Sequence, residues 1–122
     1  MQIFIVQIIA KPGHEDAVTR FYQEGEQYLR KAKGFRSRKI YRSQTGAMAA
    51  AVRKLYTAEE LAQHAEPPHE DPGTQFVIVE QWDSLDDRMH YTKHGGGPGN
   101  KDLIPHLLPQ HSHEFFEDVS VA

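Results

Sequence analysis

The chain has 122 residues, of which 39% are hydrophobic and 25% are charged, and its formal net charge is −3. This length predicts a single domain over residues 1–122 with one core. The weak acidic charge does not favour nucleic-acid binding, and no apolar run approaches the roughly 18 residues of a membrane span. The absence of cysteine excludes disulfides and thiolate chemistry. We therefore expect a cytoplasmic protein with no nucleic-acid or membrane partner.

The first half of the sequence predicts a strand, a helix and a second strand. Residues 2–10 form a strand that is apolar on both faces. A Lys-Pro-Gly turn at residues 11–13 leads into a helix over about 14–33, and Gly34 is placed as its C-terminal cap. Residues 35–43 predict a second strand with several arginines, a charge density typical of an edge strand or of a solvated face.

Gly25 is unusual because it lies on the apolar face of this helix, between Tyr22 and Tyr28 at helical spacing. Glycine inside a helix costs about 1 kcal/mol relative to alanine. The position therefore indicates either a close approach of helix and sheet or space that is left for a ligand.

The region from about residue 44 to 73 is interpreted as an insertion between strands two and three. Residues 47–56 are rich in alanine and favour a helix. Thr57 and Glu60 form a capping-box pattern that predicts a short helix over about 58–65, and the proline-rich remainder predicts a loop. The insertion is a candidate lid over a site, or an extension of a dimer interface.

The second half begins with an apolar strand at residues 76–79 that continues into a helix. Ser84 is placed as the N-cap of this helix, with Asp87 three residues later. The inner line of the helix is predicted to be Leu85, Met89 and Thr92.

The last part of the chain predicts a connection, a short turn and a final strand. Residues 95–99 are rich in glycine and predict a flexible connection, since a phosphate loop would follow a strand and end in Gly-Lys-Ser/Thr. Apolar residues four apart within 103–108 predict a short amphipathic turn. Residues 113–121 predict strand four.

This order of elements predicts an α+β, ferredoxin-like split βαβ fold: a four-stranded antiparallel sheet with helices on one face. The helices leave the other apolar face uncovered, and a second copy of the chain is the simplest cover. We therefore expect a homodimer in which the two sheets face each other.

The chain resembles the antibiotic biosynthesis monooxygenase family of dimeric α+β barrels over most of its length. The resemblance is carried by the turn at 11–13, Gly34-Phe35 entering strand two, the Glu-x-Trp-x-Ser run at 80–84 and the leucine-rich segment 103–108. It implies a dimeric barrel with a pocket between the sheet and the helices of each subunit. For active members it implies oxygenation of aromatic phenols or quinols without metal or flavin.

A haem-degrading branch of the same fold is not favoured. The resemblance would place an Asn in strand one, where this chain has Ile5 and Gln7, and a Trp in the second helix, where it has Tyr91. The downstream His of that branch is ambiguous between His94 and His106.

The candidate catalytic residues are His90, Tyr91 and His94, which share the helix after strand three. His90 and His94 are four residues apart and therefore lie on one face. A histidine near its ordinary pKa can take a proton from a phenol at neutral pH, and the resulting anion can pass an electron to oxygen.

Candidate substrate-binding residues are Trp82, Tyr22, Tyr28, Arg88 and His106. Arg88 is a candidate for holding an anionic oxygen, with a surface ion pair to Asp87 or Asp83 as the alternative.

His106, His111 and His113, with Glu114, form a second cluster of possible metal ligands, but their spacing matches no known metal motif. We expect neither a metal nor another cofactor. The predicted function is a cofactor-independent monooxygenase of a small aromatic substrate. The alternatives are a non-catalytic dimeric barrel that binds a small hydrophobic ligand, in a stress or regulatory role, and a histidine-based metal enzyme.

Overall fold

The computed structural model describes residues 1–63 and 73–121, and its elements follow the predicted order. The strands are β1 (Gln2–Ala10), β2 (Phe35–Arg42), β3 (Thr74–Trp82) and β4 (Leu107–Phe116). The helices are α1 (Glu15–Leu29), α2 (Ala47–Leu55), α3 (Ala58–Gln63), α4 (Leu85–His94) and α5 (Asn100–Leu103), followed by a 3₁₀ turn at Ile104–His106.

The four strands form one antiparallel sheet in the order β2-β3-β1-β4. Strand β3 therefore pairs with β1 and β2, and β1 pairs with β3 and β4. Helices α1 and α4 both lie over the same face of this sheet. The ferredoxin-like α+β fold is confirmed, and so is the edge position of β2, where the charged strand was expected.

The two faces of the sheet differ in burial. The helix-facing side of β1 and β3 supplies most of the core, with Phe4, Val6, Ile8, Ala10, Phe76, Ile78 and Trp82 buried together with Leu103. The alternate residues of the same strands are only half-buried, because no element of the described chain covers them. We call this second surface the open face; its apolar residues are Ile3, Ile5, Ile9, Val77 and Val79.

The predicted position of strand four was wrong. The strand runs from Leu107 to Phe116 rather than over 113–121, and residues 117–121 are not in a strand. Strand β4 contains Pro109, which lacks a backbone N–H and would cost a ladder bond in a central strand. However, β4 is an edge strand, and one side of an edge strand has no ladder partner and tolerates proline.

Helix α1 is shorter than predicted. Its last helical bond is donated by the Arg30 amide to Glu26, and the next amides bond three residues back in a tightened turn. Gly34 follows that turn with a φ of 82°, and a Cβ there would also collide with the Asp87 carboxylate. The Gly34 carbonyl accepts the Asp83 amide at 2.7 Å, so the α1–β2 and β3–α4 connections meet at this glycine.

The N-terminus of α4 is as predicted, since the Ser84 hydroxyl accepts the Asp87 amide at 3.1 Å. The predicted inner line of this helix was wrong: Leu85, Met89 and Thr92 are exposed, and Arg88 and Tyr91 face the sheet instead. The long arginine stem and the tyrosine ring provide the apolar contact that leucine and methionine were expected to make.

The insertion contains two short helices whose side chains are not buried. The capping box at the start of α3 is confirmed by the amide bonds Thr57 to Glu60 Oε1 (3.1 Å) and Glu60 to Thr57 Oγ1 (3.2 Å). The predicted helix end at 65 and the following loop to 72 lie outside the described residues. Among the helices that the structure describes, none has the length and hydropathy to cross a membrane.

Candidate functional site

Glu80 is a buried carboxylate on the helix-facing side of β3. It is 3% exposed and continues the buried row formed by Phe76 and Ile78. Its Oε1 accepts two hydrogen bonds, from Trp82 Nε1 and from Arg88 Nε, each at 2.8 Å. A buried carboxylate is strongly unfavourable unless it is paired and hydrogen-bonded, so these two donors are what make the position possible.

Arg88 reaches Glu80 because the capped start of α4 fixes the helix above the sheet. The Arg88 side chain is 14% exposed, and its Nη1 also donates to Thr92 Oγ1 at 2.6 Å. Its guanidinium lies 4.4 Å from the centroid of the Phe4 ring, with the rings of Trp82 and Tyr91 at 5.7 and 5.5 Å. Such cation–π contacts add to the ion pair in holding the side chain in place.

Arg38 brings a second guanidinium to the same region from β2. It is the register partner of Glu80, so the two side chains are neighbours on one face of the sheet. Its terminal nitrogen donates to the Tyr22 carbonyl on α1, and its guanidinium lies 5.5 Å from the Tyr22 ring centroid. Its Nε is buried and has no hydrogen-bond partner among the described residues. An unpaired buried donor costs about 1–3 kcal/mol and therefore needs an explanation.

Aromatic rings form the walls of this region. Trp82 contacts Tyr91 and Phe35, with ring centroids 5.8 and 5.4 Å apart, and Phe4 contacts Phe115 of β4 at 5.0 Å. We call the polar and aromatic group the Glu80 cluster; its members are Tyr22, Arg38, Glu80, Trp82, Arg88 and Tyr91. A cleft of about 660 Å³ opens at the end of β4 beside Phe115 and is lined by Gln2, Phe115, Phe116, Glu117 and Val119.

The two tyrosines of the Glu80 cluster are protonated donors at neutral pH. Burial, followed by the nearby Glu80 carboxylate, raises the pKa of Tyr22 to about 12. Burial likewise raises the pKa of Tyr91, although the charges of Arg38 and Arg88 oppose this shift. Neither hydroxyl has a hydrogen-bond partner in the described part of the chain, so both are available to a ligand.

His113 lies at the margin of the cluster on the edge strand. Its register partner is Val6, so it is on the helix-facing side, next to the Phe4–Phe115 pair. Partial burial, followed by the charges of His111 and Arg88, lowers the pKa of His113 below its ordinary value of 6.5. At neutral pH its imidazole is therefore uncharged and able to accept a proton.

Four of the eight predicted site residues, Tyr22, Trp82, Arg88 and Tyr91, come together in the Glu80 cluster. The other four do not. His90 and His94 are exposed on α4 with ring centroids 4.7 Å apart. Tyr28 packs under the glycine-rich loop, where a Cβ on Gly97 would lie 2.7 Å from its ring. His106 is hydrogen-bonded to His14 through their Nδ1 atoms at 2.9 Å.

The expected surface pair of Arg88 with Asp87 or Asp83 was wrong, because Arg88 pairs with Glu80 and Asp83 pairs with Arg36. The possible metal ligands His106, His111, His113 and Glu114 do not all lie together. His111 and His113 are neighbours, with ring centroids 5.5 Å apart, whereas Glu114 is on the open face. Within residues 1–63 and 73–121, no three metal-ligating side chains converge.

The sequence analysis did not assign Glu80 or Arg38 to the site, and it considered His113 only as a possible metal ligand. Glu80 carries a recognisable signal: it occupies the core-facing period of an otherwise apolar strand, between Ile78 and Trp82. Arg38 carries none, since several arginines of β2 look alike in the sequence. Its position became clear only from the strand register.

Gly25 faces open space. A Cβ built on it meets no described atom within 4 Å, so the interpretation as a close helix–sheet approach was wrong. Tyr22 of the Glu80 cluster precedes Gly25 by one helical turn. The absence of a side chain at Gly25 is therefore not required by a packing contact.

Two solved structures share this fold over nearly the whole chain. One is a protein of Nitrosomonas europaea assigned as an antibiotic biosynthesis monooxygenase, with a TM-score of 0.63 and 14% identity, covering 98% of this chain and 100% of the other. The second is described as an antibiotic biosynthesis monooxygenase, with a TM-score of 0.58, 16% identity and the same coverage. No protein-family model and no curated protein matches the chain. At these identities the likeness establishes the fold, which is that of the antibiotic biosynthesis monooxygenase structures.

Proposed function

We propose that the protein is a cofactor-independent monooxygenase that acts on a small aromatic substrate, a phenol, hydroquinone or polyketide-like compound. The observation that carries this proposal is the Glu80 cluster, in which aromatic walls surround a charged network with unused hydrogen-bond donors. The fold shared with proteins named as monooxygenases supports it.

The chemistry begins with removal of the substrate's phenolic proton. We assign this role to His113, since it is on the helix-facing side and uncharged at neutral pH; His90 and His94 remain the candidates from the sequence. Arg38 and Arg88 stabilise the phenolate by charge, and aromatic packing excludes water.

The phenolate then passes one electron to molecular oxygen, and the two radicals combine to form a carbon–oxygen bond. The resulting peroxide breaks at its O–O bond. The distal oxygen leaves as water with the phenolic proton and the hydrogen of the attacked carbon. One oxygen atom stays on that carbon as a carbonyl, so atoms and electrons balance without a further reductant. The protonated Tyr22 and Tyr91 are donors for the oxygen anions formed on the way.

The test is oxygen uptake by purified protein with a panel of hydroquinones and polycyclic phenols, with the product mass measured under ¹⁸O₂. We expect one labelled oxygen per product and a large loss of rate in His113→Gln. The single variants His90→Ala and His94→Ala test the alternative bases, and Arg42→Gln, paired with Asp16 away from the cluster, is the control. Uptake at the buffer rate across the panel would count against the proposal.

A second candidate function is binding of a small hydrophobic ligand without turnover. The cleft beside Phe115 favours it, since that cleft exposes apolar side chains such as Phe116 and Val119. A ligand that raises the melting temperature without any product formed would support this function over the enzyme.

We also propose that two copies of the chain associate through the open face. Its half-buried isoleucines and valines are centred on Ile5 and Val79, which are register partners in adjacent strands, and glutamines lie among them. A second copy would remove this surface from water.

A further inference from the structure

Donors outnumber acceptors in the Glu80 cluster. Its hydrogen-bonding side chains are two arginines, two tyrosines, one tryptophan and a single carboxylate. The only acid, Glu80, already accepts from Trp82 and Arg88 through Oε1. The hydroxyls of Tyr22 and Tyr91 remain protonated, and no described residue accepts from them.

The charges of the cluster do not cancel. Arg38 and Arg88 carry two positive charges and Glu80 carries one negative charge, which leaves an excess of one positive charge on the helix-facing side. His113 adds no charge at neutral pH. The neighbouring charged pair on this face, Arg42 with Asp16, is self-contained at 2.9 Å.

Arg38 is the residue whose bonding is incomplete. Arg88 donates from two of its three nitrogens, to Glu80 and Thr92, whereas Arg38 donates only to the Tyr22 carbonyl and has a buried Nε without a partner in the described residues. An anionic oxygen that reaches Arg38 would satisfy this donor and balance the extra charge at once.

From this excess of donors and positive charge we infer that the site binds its aromatic ligand as an anion, with Arg38 as the residue that recognises a carboxylate or an ionised phenol oxygen. This inference rests on the proposed function for the location of the site, but it concerns binding and not turnover. The half-buried Tyr91, which packs on the buried Trp82, would contact the ligand's ring, and Arg38 would pair with its negative charge.

The test is equilibrium binding of 2-naphthoate and of its neutral isostere 2-naphthamide, followed by the fluorescence of Trp82, the single tryptophan of the chain. We expect naphthoate to bind at least about tenfold more tightly than naphthamide, the value of one hydrogen bond to a charged group. This preference should weaken as salt concentration rises.

Arg38→Gln should remove the preference. The dissociation constant of naphthoate should rise by about tenfold or more, and that of naphthamide by less than about twofold. Arg42→Gln, a substitution in the same strand that removes the same charge away from the cluster, should keep it. Circular dichroism and thermal melting show whether each variant is folded, and the comparison of the two ligands on the unaltered protein decides the question without any variant.

Equal affinity for the two ligands, or no binding of naphthoate at millimolar concentration, overturns the inference. The oxygenase proposal can fail separately. Naphthoate selectivity without oxygen uptake on hydroxylated naphthoates would leave an anion-binding site and remove the enzyme. Turnover of neutral quinols without a preference for naphthoate would support the monooxygenase proposal and contradict the inference that the ligand binds as an anion.

Discussion

The two faces of the sheet are built from the same strands and serve different ends. Strand β3 turns Phe76, Ile78, Glu80 and Trp82 towards the helices and Val77 and Val79 away from them. The helix-facing side combines a packed core with a charged network at one end. The open face is half-exposed and mixes isoleucines and valines with Gln7, Gln75, Gln81, Lys39 and Glu114. In the described residues, the hydrogen bonds between its side chains join neutral groups, such as Ser37 to Gln81 at 3.2 Å. Charge is buried only where helices supply its partners.

Because side chains alternate along a strand, one strand contributes residues both to the candidate site on the helix-facing side and to the proposed dimer interface on the open face. A residue on the helix-facing side meets fixed partners from α1 and α4, so its chemistry can be tuned by contacts. A residue on the open face meets only its strand neighbours and needs another molecule to be covered. Substitutions on the two faces should therefore have different readouts.

The largest expected effect is on the buried ion pair. Arg88→Ala leaves the Glu80 carboxylate buried without its charged partner, so we expect the free energy of unfolding to fall by about 3–5 kcal/mol in urea denaturation. Arg36→Ala removes an exposed pair with Asp83 and should cost less than about 1 kcal/mol.

A double variant sharpens this comparison. Removing both charges, in Glu80→Leu with Arg88→Met, should destabilise less than Arg88→Ala alone because no buried carboxylate is left without its charged partner. Similar losses for Arg88→Ala and Arg36→Ala would show that the Glu80 pair is not energetically distinct from a surface pair.

On the open face, Val79→Lys should act on assembly. A lysine at the centre of the proposed interface would be buried without a partner, and we expect the dimer dissociation constant to rise by about 100-fold or more. Light scattering coupled to size-exclusion chromatography measures this, with exposed Gln23→Lys on α1 as the charge-matched control. A monomeric unaltered protein at micromolar concentration would remove the dimer proposal.

His113 predicts a pH effect at the margin of the helix-facing side. Because its pKa is lower in the folded than in the unfolded chain, the unfolded chain binds the proton first as pH falls below 6.5. The contribution of His113 to stability is therefore complete above that pH and is lost as pH falls towards the folded pKa. In His113→Gln, the slope of the free energy of unfolding against pH should be smaller on the acid side, by an amount that corresponds to less than one bound proton. NMR titration of the ring should give a midpoint below 6.5, and a midpoint at or above it would contradict the lowered pKa.

The smallest effect is expected at Gly25. Alanine there meets no described atom within 4 Å and improves helix propensity, so the free energy of unfolding should rise by up to about 1 kcal/mol. Gly34→Ala is the matched control with the opposite sign, since its φ of 82° and the nearby Asp87 both disfavour a Cβ. Thermal denaturation of the pair tests whether the space beside Tyr22 is open; a loss of stability in Gly25→Ala would mean that it is not.

Patterns within a few neighbouring residues predicted the secondary structure and the fold well. Contacts between residues far apart in the sequence could not be predicted. Ser84 and Thr57 cap their helices through bonds that span only three residues, and such bonds can be inferred from spacing. The placement of Arg38 beside Glu80 depends on strand register, and the contact of His14 with His106 joins residues 92 apart. No periodicity within one element contains that information. The same limit explains why His113, an exposed residue on the helix-facing side of β4, was considered only as a possible metal ligand.

The sheet order has a consequence for how the chain unfolds. Strands β1 and β2 belong to the first βα half and strands β3 and β4 to the second, yet every ladder in the sheet joins one half to the other. Neither half can keep a sheet by itself, and Gly34 joins their connections at one point. The slowest-exchanging amides of all the central ladders should therefore share one opening free energy in hydrogen exchange, that of global unfolding. The site, which draws Arg38 from one half and Glu80 from the other, would form only when both halves have assembled.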